Sequence, residues 1–175
     1  LAADARRPSL RLESRIADRG VLSILSAELA ATFVAQLSSS CLTTGYVGLS
    51  GGAPLPLVLI VEDDVETRQF YTHVLDDIGL RTDQAHNGLQ AFEKAVHEVP
   101  DLILTDIAVP GIDGIELCRR LRADERTRHI PLLAITGYGD RQYEDRARSA
   151  GANHVLTKPC SAGTLAAEAF RLLAA

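Results

Sequence analysis

The feature that most limits how this chain can fold is an alternation beginning at Leu57, in which short apolar runs give way to stretches with apolar residues at helical spacing. Leu57–Val61, Asp101–Thr105 and Pro131–Ile135 read as buried strands, with weaker strands near Leu80–Ala85 and Asn153–Thr157. Between them, Phe70, Val74, Leu75 and Ile78 share one helical face, as do Leu89, Phe92, Val96 and Val99, and later Leu165, Ala169, Leu172 and Leu173. Runs that are apolar on both faces need cover on both, and parallel strands need crossovers to join them. The expected fold is therefore α/β: a doubly wound, five-stranded parallel sheet with helices on both faces. With 46% hydrophobic and 23% charged residues, the composition suits such a packed core and argues against wholesale disorder.

In open α/β sheets, ligands bind beyond the carboxyl ends of the strands, so the polar residues just after each apolar run carry most of the functional information. Here Glu62, Asp63 and Asp64 follow the first strand, Asp106 the third, Thr136 the fourth and Lys158-Pro159 the fifth. Several carboxylates brought together at one sheet edge raise one another's pKa and resist desolvation unless a cation neutralises them. The five histidines, His73, His86, His97, His129 and His154, are scattered without metal spacing, and no His/Cys cluster competes. An oxygen-only donor set of this kind suits Mg²⁺. A carboxylate can also act as a nucleophile toward phosphorus while a metal, an ammonium and a hydroxyl stabilise the transferred group. Asp106, Lys158 and Thr136 fit those roles by residue type.

Four segments, VLIVEDD (58–64), LILTDIAVPGIDG (102–114), LLAITGYG (132–139) and GANHVLTKP (151–159), resemble in order and spacing the receiver domain of two-component response regulators. The resemblance covers about residues 57–174. It implies a flavodoxin-like sheet in strand order 2-1-3-4-5, with Asp106 as phosphoacceptor. It further implies Asp63 as a direct Mg²⁺ ligand, Glu62 as its companion through water, and Ala108 as donor of a backbone carbonyl to the metal. Thr136 resembles the family's switch hydroxyl, Gly137 its small neighbour, Lys158 the phosphate-binding cation and Pro159 the cis-proline that aims it. The partner implied is a histidine kinase or histidine phosphotransfer protein. The chemistry implied is self-directed phosphotransfer and autodephosphorylation rather than an enzyme's turnover of separate substrates.

Asp64 lies one position past the family's acid pair and reads as the N-cap of a helix starting near Val65, and Asp113 as the cap of the helix carrying Ile115, Cys118 and Leu121. Cys160, where the family more often has an aromatic residue, reads as a packing residue. One departure bears on signalling: the family's aromatic switch position, three before the lysine, is Val155. A valine cannot swing as a ring does, so the expected route from Thr136 runs through the backbone of Gly137-Tyr138-Gly139, with Tyr138 as a substitute moving group.

Residues 1–55 form a separate N-terminal extension in this reading. Pro8 and five arginines precede an amphipathic helix with Leu22, Leu25, Leu29, Phe33 and Leu37 on one face, and the Gly/Ser/Pro-rich stretch after Ser38 is a linker ending where the receiver begins at residue 56. Those 55 residues hold five of the 18 Lys+Arg and four of the 23 Asp+Glu, which leaves the remainder acidic and unsuited to nucleic acid. No apolar run reaches the roughly 20 residues of a membrane span. Three cysteines, Cys41, Cys118 and Cys160, fit neither a disulfide framework nor a zinc site, and point to a cytoplasmic protein with reduced thiols. The chain has no methionine, so its native start is expected to be processed or missing. With nothing after Ala175, a stand-alone relay module or the receiver end of a truncated hybrid kinase is expected. The alternative from another class is a phosphorylation-independent interaction scaffold.

Overall fold

The computed structural model describes residues 54–137 and 141–175. The expected helix and linker of the N-terminal extension, and Tyr138, lie outside the described residues. The elements run β1 (Leu57–Val61), α1 (Val65–Asp77), β2 (Arg81–Ala85), α2 (Gly88–Glu98), β3 (Leu102–Asp106), α3 (Gly114–Ala123), β4 (Leu132–Thr136), α4 (Arg141–Ser149), β5 (His154–Thr157) and α5 (Ala162–Leu173). All neighbouring strands pair in parallel, in the order β2-β1-β3-β4-β5. This is the doubly wound sheet expected from the alternation.

The two sides of the sheet are separate cores because successive strand residues point to opposite faces. Val58, Ile60, Leu102, Leu104, Leu133 and Ile135 pack against α1 and α5 through Tyr71, Leu75, Leu165 and Phe170. Leu59, Val61, Ile103, Leu132 and Ala134 pack on the other side against α2, α3 and α4 through Ala91, Ala95, Leu117, Leu121 and Ala147. Fully buried β3 and β4 form the spine between them.

Four strands begin one residue later than expected, at Arg81, Leu102, Leu132 and His154, and two of them, β3 and β4, end one residue later. Asp106 and Thr136 are therefore the last residues of β3 and β4 rather than the first residues beyond them. Their polarity ends the apolar pattern, but their backbones stay in the ladder, where Asp106 pairs with Ile135 and Thr136 with Thr157. Two expected helical faces are also rotated. Phe70 is exposed, and the buried stripe of α1 is Arg68, Tyr71 and Leu75. On α2, Leu89 and Val99 are exposed and Phe92 and Val96 half-buried, while Gly88, Ala91 and Ala95 face the core. Small side chains let this helix lie close to its neighbours, so the bulky ones are displaced to the flanks. The α5 face is as expected, with Leu165, Ala169 and Leu172 buried.

Candidate functional site at the carboxyl edge of the sheet

The winding direction reverses between β1 and β3, which opens a crevice at their carboxyl ends. The turn on the β1 side is short. The Glu62 N–H still donates to Ala85 O of β2 at 3.1 Å, and two residues later the Asp64 carboxylate accepts from Thr67 N at 2.8 Å as the N-cap of α1. Glu62 and Asp63 are thereby confined to a sharp strand-to-helix turn. Glu62 is buried with 1% exposure, whereas Asp63 faces solvent.

Asp106 ends β3 with 7% of its surface exposed. Its Oδ1 accepts from the Ala108 N–H at 3.0 Å, and its Oδ2 accepts from Lys158 Nζ at 2.6 Å. The same ammonium donates to Glu62 Oε2 at 2.7 Å, so one lysine bridges two nearly buried carboxylates. Lys158 is itself held by its backbone, whose N–H donates to Thr136 O at 2.7 Å, and the peptide bond to Pro159 is cis, as expected. Thr136 is fully buried at the end of β4, and Gly137 beside it is exposed. Behind the acceptor, α3 starts at Gly114, whose N–H donates to Ile107 O at 3.0 Å. A Cβ on Gly114 would overlap the Asp106 carbonyl oxygen and come within 2.8 Å of Ile107 Cα. Only glycine allows the helix to approach the acceptor strand this closely. Asp113 caps α3 through Glu116 N at 2.7 Å, as expected.

Glu62, Asp63 and Asp106 each present a carboxylate oxygen, and the three oxygens lie within 4.8 Å of one another. Burial pushes the Glu62 carboxyl above its ordinary value, the Asp106 charge adds to the rise, and the Lys158 hydrogen bond only partly opposes it. For Lys158, burial acts to lower the ammonium, but the bonds to Asp106 and Glu62 outweigh it and raise its pKa. A single lysine therefore leaves the three acids undercompensated. Oxygen donors only, gathered within one ion's reach and short of positive charge, are a donor set that fits a hard divalent cation.

Sequence reasoning missed Arg68 and its partner Gln84 beneath this cluster. The Arg68 side chain is buried, with Nη1 donating to Glu62 O at 2.7 Å and Asp63 O at 3.1 Å, and Nε donating to Gln84 Oε1 at 3.2 Å. The available signal was spacing, since Arg68 stands three and seven residues before Tyr71 and Leu75 on the same stripe. Thr136 and Lys158 lie at the same sheet edge as Glu62, Asp63 and Asp106. Cys160 is half-buried on the α1 side, and Cys118 is a buried free thiol whose pKa burial pushes up to about 11.

Comparison with known proteins agrees with this geometry. Residues 58–170 match the model of the response regulator receiver domain. The polar-differentiation response regulator DivK of Brucella anthropi is 36% identical over 104 residues, covering 59% of this chain and 85% of that protein. The DNA-binding dual master transcriptional regulator RpaA of Synechocystis is 36% identical over 119 residues, and the match spans 68% of this chain and 49% of that longer protein. Among solved structures, the receiver domain of the sensor histidine kinase PA1611 from Pseudomonas aeruginosa superposes with a TM-score of 0.66 at 28% identity, covering 70% of this chain and all of that one. That structure has a magnesium ion coordinated in its active-site cleft.

Proposed function

This chain belongs to the response regulator receiver family, and from that premise we propose that it accepts a phosphoryl group on Asp106 from a histidine kinase or histidine phosphotransfer protein, using Mg²⁺. Receivers in general are signalling phosphoacceptors of two-component systems. The observation that carries the specific reading is the setting of Asp106: a nearly buried carboxylate at a strand end, held by Ala108 N and Lys158 Nζ, with Glu62 and Asp63 alongside.

In the proposed reaction an Asp106 oxygen attacks phosphorus, a P–O bond forms, and the bond from phosphorus to the donor's imidazole nitrogen breaks. Asp63, Asp106 and the Ala108 carbonyl would hold Mg²⁺ directly, with Glu62 acting through water; when bound, the ion supplies charge neutralisation to the phosphoryl oxygens. Lys158 contributes the second positive charge, moving from its bridge between the two carboxylates to the incoming oxygens. Thr136 supplies a hydroxyl from the end of the neighbouring strand. Ala108 N–H fixes the rotamer of the attacking carboxylate before the donor arrives, which lowers the entropy to be lost on reaction. Hydrolysis of the aspartyl phosphate would return the site to its starting state.

A scaffold that works without phosphate has no physical use for two nearly buried carboxylates bridged by a half-buried lysine, since burying such charges costs free energy. We place the protein in the cytoplasm with reduced thiols, acting on protein partners rather than nucleic acid; no described helix is long and apolar enough to cross a membrane. Incubation with acetyl phosphate and Mg²⁺ tests the central assignment. Intact mass should show one added phosphate, and Asp106→Asn should show none; equal labelling of that variant would overturn the assignment.

A further inference from the structure

We infer that Arg68 is a positioning residue for the metal site: its guanidinium clamps the backbone carbonyls of Glu62 and Asp63 and so sets where their carboxylates point, a role that depends on the metal reading given above. Arginine is almost never fully buried unless its donors are used. Here the side chain lies with 6% exposure beneath the acidic turn, and its partners are the carbonyl oxygens of the two consecutive acids, at 2.7 and 3.1 Å from one nitrogen. The third bond, Nε to Gln84 Oε1 at 3.2 Å, ties the guanidinium to β2. Gln84 in turn donates to Thr72 Oγ1 at 3.1 Å, and Thr72 donates to the Arg68 carbonyl at 2.9 Å. The loop of contacts closes on itself, so the fork has one orientation.

The consequence lies in the turn itself. Glu62 and Asp63 are the only two residues between the last residue of β1 and the N-cap of α1. Both their carbonyls point to Arg68, which fixes the two peptide planes and therefore the directions in which the Cα–Cβ bonds leave. Glu62 is further guided by the Asp64 N–H, which donates to its Oε1 at 3.3 Å. Partners that orient metal ligands from behind are worth about 10–100-fold in metal affinity. The electrostatic effect has the opposite sign. A fixed positive charge behind a cation site repels the cation, so an arginine serving only as a charge would weaken Mg²⁺ binding, and its removal would tighten it.

That difference in sign makes the inference testable by calorimetric Mg²⁺ titration of the full chain. Arg68→Lys keeps the charge and loses the fork; it should weaken Mg²⁺ about tenfold. Arg68→Gln should also weaken binding despite removing a repelling charge. In the metal-free protein, the amide resonances of Asp64 and Ala108 should shift in both variants. Arg122→Ala serves as the control for instability alone, because Arg122 bonds Gly151 O, Arg128 O, Ile130 O and Asn153 Oδ1 at the other end of the sheet. It should unfold more easily yet bind Mg²⁺ as the parent does. Arg68→Lys folded by circular dichroism and binding Mg²⁺ within twofold of the parent overturns the inference. If Arg68→Lys does not fold, Gln84→Met decides: it removes the bonds to Arg68 Nε and Thr72 Oγ1 that orient the guanidinium while leaving the arginine in place, and unchanged affinity counts against the clamp. Asp63→Ala separates the two readings, since undiminished binding there means that the metal site itself is misassigned.

Discussion

Gly114→Ala tests whether the acceptor strand and α3 meet as closely as the structure shows. The added methyl would overlap the Asp106 carbonyl oxygen and stand 2.8 Å from Ile107 Cα, while ordinary contact begins at 3.4 Å. To clear Ile107 Cα alone the backbones must part by about 0.6 Å, the difference between those distances, and the Asp106 carbonyl oxygen, closer still, requires more. Both obstructing groups are main chain, so no rotamer change relieves the overlap. Overpacking of this kind costs about 1–3 kcal/mol, and alanine's better propensity, about 1 kcal/mol at most in a helix interior, returns less at this first helical position, leaving a net loss of roughly 1–2 kcal/mol. The effect on labelling follows from where the strain falls. A misplacement of 1 Å at a reacting group costs on the order of a hundredfold, so a shift a little over half that size should slow acetyl-phosphate labelling roughly tenfold. Urea unfolding gives the first quantity and timed intact-mass measurements the second. Gly137→Ala is the matched control for stability alone, because a Cβ there meets nothing within 4 Å. If Gly114→Ala is as stable as the parent to within about 0.5 kcal/mol, the ordinary range for a surface change, and labels at the parental rate, the close approach is not what holds the acceptor.

Two further outcomes follow from the same geometry. The Glu62 carboxyl is held above its ordinary 4.5, chiefly by burial, so its proton is bound more tightly in the folded state; the charged form disfavours folding above the raised value, and that penalty disappears below 4.5. Mg²⁺ should compete with this proton, so affinity should fall as pH drops toward 4.5, and Glu62→Gln should flatten the change; a calorimetric titration series with no pH dependence in the parent would refute the coupling. A shortened chain beginning at Pro54 should fold and label like the full chain, because both cores and every site residue lie between Leu57 and Leu173; an insoluble or unlabelled product would show that residues 1–53 belong to the fold.

The sheet was legible because β1, β3 and β4 are apolar on both faces, a pattern that few other structures produce. The acid cluster was legible because its members fall at strand ends, and topology alone then brings residues as distant in sequence as Glu62 and Lys158 to 2.7 Å. The rotated faces of α1 and α2 were less so. Hydrophobicity favoured Phe70 and Leu89, yet close packing favoured Tyr71 and Ala91, and that choice depends on distances between elements that no single helix encodes. Arg68 was hidden for a related reason. A charged side chain on a helix normally means solvent, and only the carbonyls exposed by the preceding turn make burial here affordable.

On the proposed function, the signal must leave the site without an aromatic switch. Val155 is buried in β5 beside Ala134 of β4, in the same core as Ala147 of α4, with half-buried Tyr143 packed against that core. A β-branched side chain in close packing has little rotameric freedom, so a ring-like swing has no counterpart at this position. The connections the structure does provide are main-chain bonds between the ends of β4 and β5 and one side-chain bond onward to α4. Lys158 N–H is bonded to Thr136 O at 2.7 Å, and Thr136 pairs with Thr157, which in turn donates to Glu144 Oε1 of α4 at 3.4 Å. A displacement of Thr136 toward a phosphoryl group would therefore draw on the ends of β4 and β5 together, and α4 would feel it through the Thr157–Glu144 bond rather than through position 155. Gly137, exposed and free of crowding, is the point in the described chain where β4 can pivot without disturbing the core behind it.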